Sequence, residues 1–540
     1  EQLVEQMGAA DRSALVGAGW AAAGLPAPAE CTDVAALTRQ VDWTAVSPEL
    51  AADLAAASAA LALEAWNESL ARSDSALVLA EAVGGRAEQA RAHQLRADAL
   101  FGLGDSRAAQ QAHLAAFENA YLAGALKIAF HSAIALALLE RDLRNDHLQA
   151  RSWTSLASAL LEQAGVAKET LPWAEAARAQ AVLEATHVNV AAAREEFTRA
   201  LRIRESVLGP RHPLALESRA HLASVSLRDG DPNAALEQYA DLESAFEDAF
   251  GRGHPRFAWL LQNMAGAHSR VGSGRAAIAA YRQAVDILER TYGPRHPATL
   301  VAKSQLGTEY VAENDADEAH PLLQDAVEAA NEILPAGDRR TVEAMVALAG
   351  VHHLRGEASL AEQWLSRASE TLKPDPANQA LASTILANRG LIANEDGRPT
   401  EARQLLERAL AVAGAAKAEP LLLGQVRITL ADIEREDELF ASALSHYEAG
   451  LALFESVNAA GLLQARAHFG VAQMLDALGL DATRVAEQRQ LALQAIDGVR
   501  GSFADEVRHN IAEAMRKAEQ EGGQATVNAE SGPGRPESGG

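Results

Sequence analysis

The side chains that could do chemistry in this sequence are few, and most stand where a helix would begin or end. His212, His254 and His296 each directly precede a proline, at an interval of 42 residues. Three imidazoles could hold a metal ion, but a spacing of one full structural repeat keeps them apart. Their expected work is local, as hydrogen-bond partners of the following helix or as packing on a neighbouring repeat. His352, His353 and Glu357 come nearest to a metal cluster. Adjacent helical positions point about 100° apart, so two neighbouring histidines grip one ion poorly, and a surface role at a helix end is expected for them. Cys31, the single cysteine, could be a nucleophilic thiol, yet no histidine lies near it in sequence to activate it. A lone cysteine also excludes an internal disulfide framework and a cysteine-based zinc site. Gly17, Gly19 and Gly24 have the wrong spacing for a dinucleotide loop and follow no strand. There is no Gly-x4-Gly-Lys-Ser/Thr loop, no His-Glu-x-x-His, no Gly-x-Ser-x-Gly and none of the protein-kinase signatures. The expectation is a chain without catalytic residues, metal or cofactor.

The elements that would position any such side chain are helices. Hydrophobic residues make up 48% of the 540 positions but aromatics only 4%, and alanine and leucine, two of the best helix formers, carry most of the apolar content. Nowhere do valine, isoleucine and threonine alternate with the period of a strand. The fold class read from this is all-α. A chain of this length exceeds what one compact core supports, so it is several domains or a repeat array. Net charge is −25; such a surface repels nucleic acid and anionic lipid and keeps a long solenoid in solution. No run of about 18 apolar residues is free of charges, so no membrane insertion by this chain is expected.

Repetition decides between domains and array. Leu208-Gly209-Pro210-Arg211-His212-Pro213 returns as Phe250-Gly251-Arg252-Gly253-His254-Pro255 and again as Tyr292-Gly293-Pro294-Arg295-His296-Pro297; a degraded copy runs from Leu334 to Thr341. Small residues keep the same 42-residue period: Ala181, Ala223, Ala265, Gly307 and Ala349, and then Ala193, Ala235, Ala277, Ala319 and Ala361. Four positions further lie Phe197, Tyr239, Tyr281, Leu323 and Leu365, followed by Ala200, Leu242, Ala284, Ala326 and Ala368. Such letters describe close packing: helices meet where only a methyl group fits, and a ring or leucine fills the groove beside it, so a larger side chain there overpacks. Glycine supplies the left-handed end of one helix and proline presets the first turn of the next.

This pattern resembles the tetratricopeptide repeat, and the 42-residue period with its Gly-x-x-His-Pro turn resembles the kinesin-light-chain type of that family. The pattern extends to Gly390, Ala402, Leu406 and Ala409, to Ala431, Ala443, Tyr447 and Gly450, and weakly from Ala472 to about Ala486. Upstream, Ala97, Ala109, His113 and Ala116 form a copy, with looser ones at 49–82 and 125–164. The resemblance covers roughly residues 49–497. It implies an α-solenoid, a right-handed superhelix of stacked antiparallel helix pairs. The expected organisation is a linker with a short helical segment at 1–48, degenerate helix pairs at 49–166, a regular array at 167–497, a capping helix at 498–520 and a disordered tail at 521–540.

In that family the first helices of successive repeats line a concave face that receives peptides or helices. The resemblance places Trp259, Gln262, Asn263, Gly266, Ser269 and Arg270 there, with His221, Ser224, Arg228, Gln305 and Thr308 from neighbouring repeats. Asn263 matches the asparagine that contacts ligand backbone in kinesin-light-chain-like repeats, and Asn388 falls at the same position further on. Arg228 and Arg270 are cations in an acidic molecule and favour a ligand with carboxylates. Val301 and Val346 depart from the pattern where a polar group would serve, so a carboxylate clamp is incomplete.

Leu25-Pro26-Ala27-Pro28 followed by Cys31-Thr32-Asp33-Val34-Ala35-Ala36-Leu37 resembles the segment joining kinase and repeats in large myxobacterial-type serine/threonine kinases. The opening at Glu1 rather than methionine fits a fragment or processed product. The leading expectation is therefore a non-enzymatic protein-interaction scaffold, the regulatory or docking region of a kinase-associated bacterial signalling protein. Its expected partners are proteins or peptides, among them a kinase domain of the same polypeptide. A stand-alone adaptor is the alternative, and an enzyme with an unrecognised site the remote one. The expected compartment is the cytoplasm, with the extracytoplasmic arm of a membrane-spanning kinase as the alternative.

Overall fold

The computed structural model describes residues 47–496, apart from 145–146, 187–188, 335–336, 374–377, 416–419 and 457–461, together with a few positions between 508 and 516. The linker at 1–46 with Cys31, most of the expected capping helix and the tail lie outside the described residues. Every described element of regular structure is helical apart from one 3-10 position at Asn378, and the chain divides into two compact units, at Arg355 and Gly356.

The first unit holds α1 (Pro48–Ala62), α2 (Trp66–Val83), α3 (Arg86–Gly102), α4 (Ser106–Leu122), α5 (Leu126–Arg144), α6 (His147–Gln163), α7 (Leu171–Thr186) and α8 (Val190–Leu208). It continues with α9 (Pro213–Arg228), α10 (Pro232–Phe250), α11 (Pro255–Arg270), α12 (Gly274–Tyr292), α13 (Pro297–Ala312), α14 (Ala316–Ile333) and α15 (Arg339–Leu354). Odd-numbered helices open each pair and even-numbered ones close it.

Each pair is punctuated by the same local chemistry. The second helix of three pairs starts at a capping side chain in register: Asn189, Asp231 and Asp315 each accept from the backbone N–H three residues on, filling one of the donors a helix start leaves open, whereas Ser273 at the same place before α12 makes no such bond. Second helices stop at Gly209, Gly251 and Gly293, whose φ angles of +89°, +83° and +91° suit a residue without a Cβ. The histidine before each proline then caps the next first helix. Nδ1 of His212, His254 and His296 accepts from the backbone N–H of Leu214, Arg256 and Ala298 at 3.2, 3.0 and 3.2 Å. The local role expected for these residues is the one they have. In the degraded copy the capping position is Asp338, whose carboxylate takes the N–H of Arg340 at 2.9 Å, so the repeat loses the ring and keeps the cap.

The packing register reads through. All four apolar columns are buried, the least enclosed member being Tyr281 at 7% exposure. The contact is tight enough to be measured at Gly307, where an added Cβ would lie 2.5 Å from Leu323 Cγ. Cross-helix ion pairs recur two repeats apart: Arg219 of α9 bonds Glu205 of α8, and Lys303 of α13 bonds Glu289 of α12 at 2.8 Å and Asp325 of α14 at 2.7 Å.

The second unit holds α16 (Ala358–Thr371), α17 (Gln379–Glu395), α18 (Pro399–Ala415), α19 (Pro420–Glu436), α20 (Phe440–Ser456), α21 (Leu462–Ala477) and α22 (Ala482–Ala495). Ala402, Leu406, Ala409, Ala431, Ala443, Tyr447 and Ala472 are buried as their register requires. In the weak last copy Val485, 42 residues after Ala443, fills the buried place, and Ala486 beside it is exposed. Ile511 packs on Ala465, Ala492 and Ile496, and Arg508 bonds the Ile496 carbonyl at 2.9 Å.

Candidate functional site

The first helices of the pairs in the first unit carry a polar band. In register, α9 contributes His221, α11 Asn263 and α13 Gln305; one residue before Asn263 stands Gln262, and one turn before it Trp259. These side chains meet. Gln262 Nε2 donates to Gln305 Oε1 at 2.8 Å, tying α11 to α13. His221 lies with its ring centroid 4.9 Å from that of Trp259 and stacks on Phe197 of α8 at 4.8 Å. Asn263 Nδ2 donates to the Trp259 carbonyl of its own helix at 2.7 Å. That bond fixes the amide and spends one donor, leaving a carbonyl oxygen and a second N–H suited to peptide backbone. All five of these side chains are half-buried.

Arg228 and Arg270 occupy matching places in the last turns of α9 and α11, where the negative end of the helix dipole favours a cation. Both are exposed. Arg228 Nη1 donates to the Ala185 carbonyl at 3.3 Å. Surrounding protein first, then Arg270 and Arg141 of α5, lower the pKa of Arg228, which means that three guanidinium groups from different helix pairs crowd one another. Eleven of the twelve residues that the sequence places on this face, Gly266, Ser269, Ser224 and Thr308 among them, thus sit on α9, α11 and α13. The remaining one, Asn388, is half-buried on α17 in the second unit.

Behind the band lies an ionic network not foreseen from the sequence. Glu175 of α7 accepts from Arg178 Nε at 3.1 Å and from Arg204 Nη2 of α8 at 2.9 Å; Arg204 Nη1 also donates to Ser218 Oγ at 2.9 Å and the Leu214 carbonyl at 3.1 Å. Burial alone would raise the Glu175 pKa, but Arg178 and Arg204 outweigh it and hold the carboxyl at about 2. Arg256 of α11 meets Glu217 of α9 at 3.2 Å. Burial, then the field of Arg178, Arg204 and Arg256, pushes His221 down to about 3, so it is neutral in the physiological range. A signal for this network was present: Arg204 stands in the column of Phe246, Leu288 and Ala330, and a charge there requires a buried partner.

A second polar cluster lies among α3, α4 and α5. Asp98 Oδ1 receives His131 Nε2 at 3.1 Å and His113 Nε2 at 3.5 Å, with His113 filling the place of the large ring in its repeat. Burial alone would push Asp98 up, but His131 leads the charges that leave it low; burial takes His113 down to about 4. Among the described residues no group of three histidine, cysteine, aspartate or glutamate side chains is arranged to hold a metal ion. The surface role expected for His352 is not what the structure shows: it is 8% exposed and packs edge-on against His320 with centroids 5.6 Å apart. It does stand in the last turn of α15, as expected, but its ring is turned against α14 instead of solvent. No described helix is long and apolar enough to cross a membrane.

Family profiles recognise the repeats. Tetratricopeptide-repeat profiles match residues 256–332 and 381–456, and a second profile of that kind matches 189–214. The molecule is an all-α solenoid carrying tetratricopeptide repeats. Similar solved structures include a Podospora anserina putative kinesin light chain with nearly identical repeats, at 22% identity, TM-score 0.32, covering 36% of this chain and 92% of that one. BtubC (BKLC) from P. vanneervenii is similar at 18% identity, TM-score 0.35, over 45% of this chain and 91% of that one. The Cut9–Hcn1 hetero-tetramer of the APC/C is similar at 13% identity, TM-score 0.48, over 85% and 84%. No curated protein sequence matches the chain.

Proposed function

We propose that this chain is a non-enzymatic protein-interaction scaffold that receives an extended protein segment along the α9–α11–α13 band of its first unit. The observation that carries this reading is the continuity of His221, Trp259, Asn263, Gln262 and Gln305 across three successive first helices. Amide side chains bind backbone with little regard to sequence, a neutral imidazole and an indole offer flat apolar surface, and both are half-open to solvent. The crowded arginines at the helix ends add charge preference. Arg141 is paired with Asp142 at 2.6 Å, but Arg228 and Arg270 at matching helix ends gain from an acidic neighbour, so the segment carries aspartate or glutamate near one end.

Retention of partners from the source cells on immobilised full chain tests the reading. Asn263→Ala with Arg270→Glu is expected to weaken retention about tenfold or more, a loss of roughly 1.4 kcal/mol or greater, with circular dichroism unchanged. Undiminished retention would remove this face from consideration.

The finer assignment, the docking arm of a myxobacterial-type serine/threonine kinase acting in the cytoplasm or beyond a membrane, is supported only by the Leu25–Leu37 resemblance. It predicts a native polypeptide tens of kilodaltons above the 57.0 kDa of this chain, with kinase peptides upstream of Glu1. A native mass near 57 kDa would favour the stand-alone adaptor.

A further inference from the structure

The first unit touches itself across a long stretch of sequence. The turn between α3 and α4 lies against the His-Pro turn before α13: His296 Nε2 is 3.1 Å from the Gly102 carbonyl, a contact spanning 194 residues. One pair earlier in both places, the turn between α1 and α2 meets the His-Pro turn before α11, with Glu64 Oε1 3.7 Å from His254 Nε2. The two contacts follow the same rule, each joining the turn inside an early pair to the turn between later pairs. Between them the walls enclose a cleft of about 1090 Å3, lined on one side by Trp66, Leu103 and Gly104 and on the other by Tyr292, His296 and Pro297.

Chemistry at the histidines shows why these contacts are directional. Nδ1 of His254 and of His296 accepts the capping N–H of its own helix, so the proton of the neutral ring sits on Nε2, and that edge is a donor. His296 therefore donates to the Gly102 carbonyl, a carbonyl at the end of α3 that has no N–H of its own helix to receive. Backbone room is matched as well. Gly104 has φ +85°, and a Cβ there would lie 2.6 Å from Pro297 Cδ, whereas Gly124, at φ +69° in the turn after α4, has nothing within 4 Å.

We propose that these turns form a clasp that closes the first unit on itself, with the Nε2 edge of His296 as its hydrogen-bonded catch and the buried His254 packed beside Glu64 as a second, unbonded contact. The cap and the catch are separate functions of one ring. Position 338 shows the separation, since Asp338 caps α15 without a ring. A clasp held by one hydrogen bond and a packed turn beside a large cleft can open without unfolding the helices it joins.

The test perturbs one side of the seam and reads the other, using amide hydrogen exchange on the full chain. His296→Asp keeps the cap on α13 and removes the catch. Exchange at Leu103 to Asp105 should become about tenfold faster, the loss of one net hydrogen bond, while the first turn of α13 stays protected. In the reverse direction Gly104→Asn, a residue that tolerates positive φ, should wedge the seam and speed exchange at Gly293 and His296. Gly124→Asn should leave both segments as they are. Unchanged exchange across the seam in both directions, with the caps intact, overturns the clasp. A Gly124→Asn effect equal to that of Gly104→Asn would also overturn it, by showing that local turn strain alone is being read.

Discussion

Two glycines in the middle of helices, given the same substitution, should move stability in opposite directions. Gly266 of α11 and Gly307 of α13 each cost their helix backbone order that alanine would not, roughly 0.5–1 kcal/mol. At Gly266 an added Cβ meets only the Tyr281 hydroxyl, at 3.6 Å, an ordinary contact. Gly266→Ala should therefore stabilise by about that amount. At Gly307 the Cβ would lie 2.5 Å from Leu323 Cγ and 2.8 Å from Cδ2. Leu323 is fully enclosed, so it must change rotamer or push α14 away, and such overpacking costs about 1–3 kcal/mol. Ala181 and Phe197 share one buried cluster in the same register, which shows that a methyl and a large side chain can share this crossing when the side chain is oriented for it. The expected net for Gly307→Ala is accordingly at the lower end, a loss of about 1 kcal/mol. Repeat arrays unfold in parts, so the assay should be local: hydrogen exchange of α13 and α14 peptides, beside urea denaturation followed by far-ultraviolet circular dichroism. If Gly307→Ala matched Gly266→Ala in sign, close packing at this register would be refuted.

Ala277→Leu, at a fully buried crossing, should destabilise by about 1–3 kcal/mol in thermal melts, against little change for the exposed Gln283→Leu. Arg204→Leu alone should cost about 1–3 kcal/mol because Ser218 and Glu175 each lose a donor, while Glu175→Val with Arg204→Leu should recover most of it, as Val301 and Ala330 do in register; a double-mutant cycle without coupling would contradict the network. His113 and His254 both have folded pKa values lowered to about 4 from 6.5, burial being the first cause. The unfolded chain therefore binds more protons between those values, so their contribution is complete above pH 6.5 and lost as pH falls toward 4, by up to about 3 kcal/mol each. His113→Phe, which restores the ring of the register, should flatten that slope in urea midpoints measured at neutral and acid pH, and an unchanged slope would assign the acid sensitivity elsewhere.

What was legible in the sequence was whatever repeats. A 42-residue period fixes which alanines meet which rings, because each crossing depends only on the two helices that make it. The last copy shows the limit of that reading: it is weak, with alanines at several places, and only the burial of Val485 fixes its register. The His-Pro turns were read correctly as local devices because capping involves residues two positions apart. Of the candidate band, Asn263, Gln262 and Gln305 were legible through their register, whereas the contacts of Trp259 with His221 and of Gln262 with Gln305 depend on rotamers that no spacing reveals.

The seam was illegible for a different reason. Its partners are separated by 194 residues, and whether they meet depends on the small rotation each helix pair adds to the next. A change of a few degrees per pair, summed over the four or so pairs between them, carries the Gly102 turn past His296 or short of it. That rotation is set by side-chain sizes at each crossing. Packing columns such as Gly307 with Leu323 therefore act twice: they hold neighbouring helices together, and they decide where the unit comes back upon itself. It follows that a substitution such as Ala277→Leu, made between the two halves of the seam, should disturb exchange at Leu103 to Asp105 even though it touches neither His296 nor Gly104. A mere surface contact would not feel it; a closure set by accumulated curvature must.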